Sequence, residues 1–205
     1  LTKVGREKGS MPLELFRKVV DGARQFPVRM KEVCLFKDGE PLLNKDICGM
    51  ISYLKQANIC DVIKIFTNGL LLTPELNREL VSAGLDFIRI SVEGVHPEKY
   101  ESLCGRRIDY QHFIDNIKDL YEHRGSCRVV IKIIDVNLTM TEKEKFFRDF
   151  ADICDICAID DIHGWTCSDE KDFALGIKKD TFDGVKIIDK NVCPYPFYTL
   201  CVNCR

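Results

Sequence analysis

The sequence predicts an α/β chain built around a parallel sheet. Short runs rich in Val and Ile, of strand type, alternate with stretches whose apolar residues recur at helical spacing. Successive strands stand roughly 25–45 residues apart, which leaves room for a crossover helix between parallel neighbours. The composition is that of a globular domain: 205 residues, 45% hydrophobic and 30% charged. General disorder is excluded. The length suits one large domain, or one plus a fragment, yet falls short of the ~250 residues of a complete eight-fold barrel.

The elements follow in order. Residues 11–25 set Leu13, Phe16, Val19, Val20 and Ala23 on one helical face, and Glu32–Phe36 is a short strand. A second helix carries Ile47, Met50, Ile51 and Leu54, and Asp61–Phe66 is a strand. Thr73 before Pro74 is an N-cap followed by proline at the first helical position, opening a helix over 74–83. Leu85–Val92 is a strand, a short helix starts near Pro97, and a longer one carries Phe113, Ile114, Ile117, Leu120 and Tyr121. Arg128–Val136 is a strong strand. Thr141 and Glu144 have capping-box spacing before Phe146, Phe147 and Phe150, and residues 153–162 read as a fifth strand. Beyond 165 the pattern weakens into a polar, irregular segment up to 192, and Cys193–Asn203 is compact and aromatic.

Charge and composition exclude several function classes. A net charge of −2 gives no basic field, so non-specific nucleic-acid binding is not the expected task. No apolar stretch approaches the ~20 residues of a membrane span, and no signal-peptide pattern opens the chain. Eleven cysteines, an odd number spread over a large α/β chain, do not look like a secreted disulfide framework. A reducing, cytoplasmic setting with thiols free for metal or redox work is expected.

The chemical residues fall at one edge. After the strands come, in turn, Asp38-Gly39-Glu40-Pro41, Thr67-Asn68-Gly69, Ser91 with Glu93-Gly94, Asn137 with Thr139, and His163-Gly164-Trp165. In parallel α/β sheets and barrels ligands bind at the carboxyl ends of the strands, where loops converge. Each motif also has a plainer reading, as a turn or a solvated loop. A glutamate beside a glycine can accept hydrogen bonds from a ligand ammonium at close approach. Ser91 and Glu93 alternate with Val92 and so share a face, where a hydroxyl and a carboxylate suit the two hydroxyls of a ribose. Trp165, the only tryptophan, is placed to stack on an adenine or to anchor a loop.

Asp38-Gly39-Glu40-Pro41-Leu42-Leu43 resembles the Gly-Gly-Glu-Pro-Leu motif of radical S-adenosylmethionine (radical SAM) enzymes. Thr67-Asn68-Gly69 and Ile90-Ser91-Val92-Glu93-Gly94 resemble the next two strand-end motifs of that family, and Tyr100–Ile117, with Arg106 and Arg107, is also similar. Cys193-Pro194-Tyr195-Pro196-Phe197, running to Val202-Asn203, is similar to the start of the SPASM extension, which houses auxiliary iron–sulfur clusters. The resemblance implies a partial (β/α)6 TIM-like barrel over residues 1–165, a linker over 166–192, and the start of a truncated SPASM-like region over 193–205. It implies a catalytic 4Fe–4S cluster, S-adenosylmethionine, auxiliary 4Fe–4S clusters, and an electron donor such as flavodoxin or ferredoxin. By motif, Gly39 and Glu40 would meet the methionine ammonium, with Pro41 of the same motif in the cofactor-binding set, and Ser91 and Glu93 the ribose or the methionine end. Arg106 or Arg107 would pair with the methionine carboxylate. Asn68, Asn137 and Trp165 complete the expected cofactor-binding set, with Cys193 and Cys204 as candidate auxiliary-cluster ligands.

Two departures stand out. No triplet among the eleven cysteines has the Cys-x3-Cys-x2-Cys spacing that holds the catalytic cluster, and no strand precedes the first helix. The sequence is therefore expected to be a piece of a longer protein, with the cluster loop and first strand outside it. Asn203–Cys204 would be a junction across residues outside this sequence. Asp38 also stands where the family more often has glycine. Cys154-x2-Cys157 and Cys201-x2-Cys204 invite a zinc reading, against which 154 and 157 fall on opposite faces of a strand. Cys34, Cys48 and Cys60 read as small buried apolar residues.

The expected function is reductive cleavage of S-adenosylmethionine to a 5′-deoxyadenosyl radical that takes a hydrogen atom from a peptide or a small metabolite. The alternative is a cluster-free relative that binds a peptide or a partner enzyme. A sugar-phosphate barrel enzyme is disfavoured, since no Gly-x4-Gly-Lys loop is present and the edge glutamates repel phosphate.

Overall fold

The structure is a computed structural model that describes residues 9–37, 39–160, 181–182, 185–186 and 199–202. Five strands, β1 (Met30–Cys34), β2 (Cys60–Thr67), β3 (Phe87–Val92), β4 (Arg128–Ile134) and β5 (Ile156–Asp160), form one sheet in the order β1-β2-β3-β4-β5. Every neighbouring pair is parallel. Parallel pairing needs crossovers, and crossovers are right-handed. A sheet whose spatial order equals its chain order therefore receives all its helices on one face, as a partial barrel does.

Each helix begins for a local reason. Pro12 supplies the N-cap of α1 (Leu13–Ala23). The Thr73 hydroxyl accepts from Leu76 N at the start of α3 (Pro74–Ser82), and Asp109 accepts from His112 N at the start of α5 (Tyr110–His123). Helix α2 (Ile47–Ala57) ends on Asn58 in the left-handed region, and α4 (Pro97–Cys104) ends on Gly105 at φ +67°. The capping box of α6 (Met140–Phe150) is Thr139 with Glu142, two residues earlier than the Thr141–Glu144 pair of the same spacing. Both pairs satisfy the pattern, and the turn at Asn137, with φ +55°, decides which one caps.

The helices bury their apolar stripes against alternate strand residues. Ile63 and Ile65, Ile88 and Ile90, Val129, Ile131 and Ile133 all belong to that core. Beneath β3 and β4 lies an aromatic group of Tyr100, Tyr110, Phe113, Phe146 and Phe150, with ring centroids 5.4–6.4 Å apart in most neighbouring pairs.

Strand ends differ from the sequence expectation. Strand β4 stops at Ile134 rather than Val136, because Val136 N turns back to Ile134 O. Strand β5 starts at Ile156, after a 3-10 turn at Ala151–Ile153. Cys154 is therefore not on the strand; its thiol donates to Phe150 O at 3.2 Å, and the Cys154 and Cys157 thiols are near enough to perturb each other's titration. Cys34 is exposed, not buried, while Cys60 is buried as expected and Cys48 is half-buried. Within the stretch expected to be irregular, β6 (Thr181–Phe182) and β7 (Val185–Lys186) pair antiparallel.

Candidate functional site

The strand-end loops at the carboxyl edge are tied together by one carboxylate. Glu40 caps the 3-10 turn Pro41–Leu43 by accepting from Leu42 N. The same Oε1 accepts from the Thr67 hydroxyl at 2.6 Å, and Oε2 accepts from Asn68 N at 2.8 Å. Thr67, buried at the end of β2, accepts in turn from Gly69 N, and Asn68 Oδ1 accepts from Leu70 N. Charge-assisted bonds of this kind are short and strong. They fix the loop after β1 against the loop after β2. Glu40 thus turns its carboxylate into the protein, while Gly39 lies exposed beside it with open space around its Cα. Gly69 has φ +73°, and a Cβ there would meet Ile90 Cγ2 at 2.9 Å, so the turn requires glycine.

At the end of β3, Ser91 is half-buried and level with Lys132 of β4. Glu93 follows and is exposed. Desolvation raises its carboxyl above the usual range, and the Lys132 charge partly offsets this. Glu93 N donates to the hydroxyl of Tyr100, a fully buried side chain whose own pKa is raised by burial. Gly94 lets the chain pass Lys99: a Cβ there would sit 2.6 Å from Lys99 Cβ.

Arg106 and Arg107 are exposed after α4, and Arg107 is 3.7 Å from Glu98. Both line a cleft of about 200 Å³ with Gly69, His112, Phe113 and Asn116. The cleft joins the loop after β2 to the start of α5. A larger hollow of about 300 Å³ at Arg124–Arg128 and Asp155 lies at the opposite, amino-terminal end of the strands, away from all these motifs. Asn137 is exposed in the turn after β4. His96 is exposed at the N-cap of α4 and makes no side-chain cap bond. Asp38, His163, Trp165, Cys193 and Cys204 lie outside the described residues.

The sequence reading missed a polar group on the sheet face away from the helices. Arg89 of β3 and Lys132 of β4 both reach Asp160 Oδ2 at the end of β5, at 3.1 and 2.9 Å. The Arg89 guanidinium lies over Phe66, 5.1 Å from the ring centroid, and Phe66 stacks on Phe36 at 3.8 Å. The signal was present in the sequence as a charge between two isoleucines, Ile88-Arg89-Ile90 and Ile131-Lys132-Ile133. Strict alternation points such a charge away from the core.

No group of three or more His, Cys, Asp or Glu side chains among the described residues could hold a metal ion. The eight described cysteines are dispersed, and only Cys154 and Cys157 meet. The described residues therefore do not fit a 4Fe–4S cluster. The carboxyl edge fits a small polar ligand better, with donors, acceptors and glycines converging from the loops after three strands. Among the described residues no helix is long and apolar enough to cross a membrane.

Comparison with known proteins identifies the family and the fold. A family profile described as Radical SAM superfamily matches residues 3–150. A protein of Methanocaldococcus jannaschii named "Probable GTP 3′,8-cyclase" is 34% identical over 125 residues, which covers 58% of this chain and 36% of that one. A "GTP 3′,8-cyclase" of Peptoclostridium acidaminophilum is 43% identical over 81 residues, covering 40% of this chain and 24% of its own. This chain thus spans about a quarter to a third of the curated relatives it matches. Among solved structures, Streptococcus suis SuiB bound to S-adenosylmethionine superposes with a TM-score of 0.57 at 16% identity, over 76% of this chain and 35% of that chain. Native anSMEcpe with bound AdoMet gives 0.60 at 14% identity, over 76% and 44%. At such identities these structures speak to the fold alone, and they share the partial barrel.

Proposed function

Because this chain belongs to the radical SAM superfamily, we propose that it is the S-adenosylmethionine-binding part of a radical SAM oxidoreductase or maturase. Its reaction would be reductive cleavage of S-adenosylmethionine to a 5′-deoxyadenosyl radical that takes a hydrogen atom from the substrate, with the electron coming from a donor such as flavodoxin or ferredoxin. A 4Fe–4S cluster would supply that electron when bound, and its ligands are not among the described residues.

The observation that carries the reading is the Glu40 clamp. A carboxylate satisfied by three protein donors is a scaffold. It leaves the backbone of Gly39 and Glu40 to meet the methionine ammonium, with a carbonyl oxygen as acceptor. Ser91 and Glu93 then hold the ribose hydroxyls, with Asn68 beside them. Arg106 or Arg107, in the cleft beside Gly69, pairs with the methionine carboxylate. Asn137 and Trp165 complete the adenine and ribose side, and Cys193 and Cys204 serve an auxiliary cluster in a SPASM-like region beginning near 193. The substrate is a small metabolite or a peptide. The curated relatives carry a nucleotide in their names, whereas SuiB and anSMEcpe structures are titled with a precursor peptide and a Cp18Cys peptide.

The test is anaerobic reconstitution of the full-length protein, followed by reduction with S-adenosylmethionine present. Release of 5′-deoxyadenosine, read by mass spectrometry, is expected. A protein that takes up no iron and releases none of it would overturn the reading in favour of a second one, a cluster-free binding module for a peptide or a partner enzyme.

A further inference from the structure

The S-adenosylmethionine reading does not use the ion cluster on the open sheet face. Arg89, Lys132 and Asp160 come from three adjacent strands, and their side chains are 28%, 19% and 19% exposed. Both cations converge on the same carboxylate oxygen. The next acid, Glu93, stands at the strand ends close enough to Lys132 to feel its charge. Arg89 Nε is buried with no hydrogen-bond partner, although an unmade bond of a charged donor is unfavourable.

A purely structural role explains this poorly. The core lies on the other face, so nothing there needs an ion pair. Half-buried charges are weak stabilisers because their desolvation opposes the Coulomb gain. A guanidinium held between an aromatic ring and a carboxylate is instead a positioned fork, suited to planar or tetrahedral oxyanions. Lys132 adds a second point charge, level with Ser91 across the β3–β4 ladder. Asp160 ends its strand and holds both cations in place.

We propose that Arg89 and Lys132 form the seat for an anionic group of the substrate, a carboxylate or a phosphate, with Asp160 as the internal placeholder that the anion displaces. This rests on the radical SAM reading proposed above, with the substrate taken to lie against the helix-free face of the sheet, but its test needs no turnover.

The experiment is calorimetric titration of the full-length protein at low ionic strength with inorganic pyrophosphate and, separately, with succinate. At least one probe saturates a single site. Arg89→Gln and Lys132→Gln each weaken it about tenfold or more. Asp160→Asn tightens it about threefold to tenfold, because the internal competitor loses its charge. Circular dichroism checks the fold of each variant, and Asp160→Asn decides the matter even where Arg89→Gln does not fold. Saturation by pyrophosphate alone points to a phosphorylated substrate, and by succinate alone to a carboxylate, and either supports the seat. Neither probe binding, unchanged or weaker binding in Asp160→Asn, or displacement of the probe by S-adenosylmethionine would overturn it. A protein that binds the probe yet releases no 5′-deoxyadenosine keeps the seat and loses only the proposed reaction.

Discussion

The two faces of the sheet are built from the same strands and do opposite things. On the helix side, Ile88, Ile90, Val129, Ile131 and Ile133 are buried to 1% exposure or less. One residue along, on the other side, stand Arg89 and Lys132 with Asp160. Stability is concentrated on the first face, where apolar area leaves water. The second face carries charges that contribute little to stability and is free to serve a ligand. The difference teaches that one chain position, odd or even, separates a core residue from a charged residue of the open face in this protein.

The sharpest way to break that contrast is Ile90→Ala. Ile90 is fully buried, and its truncation should cost about 2–5 kcal/mol. In a chain of this size that lowers the melting temperature by very roughly 5–15 °C. Binding of S-adenosylmethionine to the fraction still folded should be unchanged. A small stability loss with a large affinity loss would mean that the core face also shapes the site.

Glu40→Gln should come next. The amide keeps one acceptor and sets an NH2 group against donors, so the bonds to Thr67 and Asn68 cannot all survive. A stability loss of about 1–3 kcal/mol is expected, with affinity for S-adenosylmethionine down about tenfold or more. Chemical denaturation and equilibrium dialysis read the two. Wild-type affinity in this variant would show that the clamp does not position the loops.

Thr139→Ala removes the α6 capping box and should cost about 1 kcal/mol, seen in the urea midpoint.

Glu93→Gln is the smallest effect and depends on pH. Desolvation raises the Glu93 carboxyl above its ordinary 4.5, so the folded state keeps the proton to higher pH than the unfolded chain does. That contribution to stability is full below the unfolded pKa and is lost as pH rises through the folded value. The variant should therefore be slightly more stable than wild type near neutrality and equal to it below about pH 4. Urea midpoints at the two pH values check this. A variant less stable at neutral pH would show that the Lys132 charge, not desolvation, governs the group.

Much of the fold was legible in the sequence because its signals are local. The Val- and Ile-rich runs, the Thr73-Pro74 start and the apolar stripes of the helices act within a few residues. Five strands and their parallel order followed from them. The edge motifs were legible too, since strand ends can be located once strands can. The capping box shifted by two residues because two Thr-Glu pairs share one spacing, and only the turn at Asn137 chooses between them. The nearness of Cys154 to Cys157 was hidden because Cys154 closes the 3-10 turn ahead of the strand and is not on the strand itself.

The sequence by itself determined the alternation of elements, the parallel sheet and the row of polar groups at its carboxyl edge. These arise from periodicity and chain length, which any segment carries with it. Only the tertiary structure decided that the Glu40 carboxylate faces Thr67 and Asn68 rather than open space, since its partners are 27 and 28 residues away. Only it brought Arg89, Lys132 and Asp160 onto one oxygen, across as many as 71 residues. Contacts at such separations exist when neighbouring strands come into register, and no local pattern encodes which side chains will then meet.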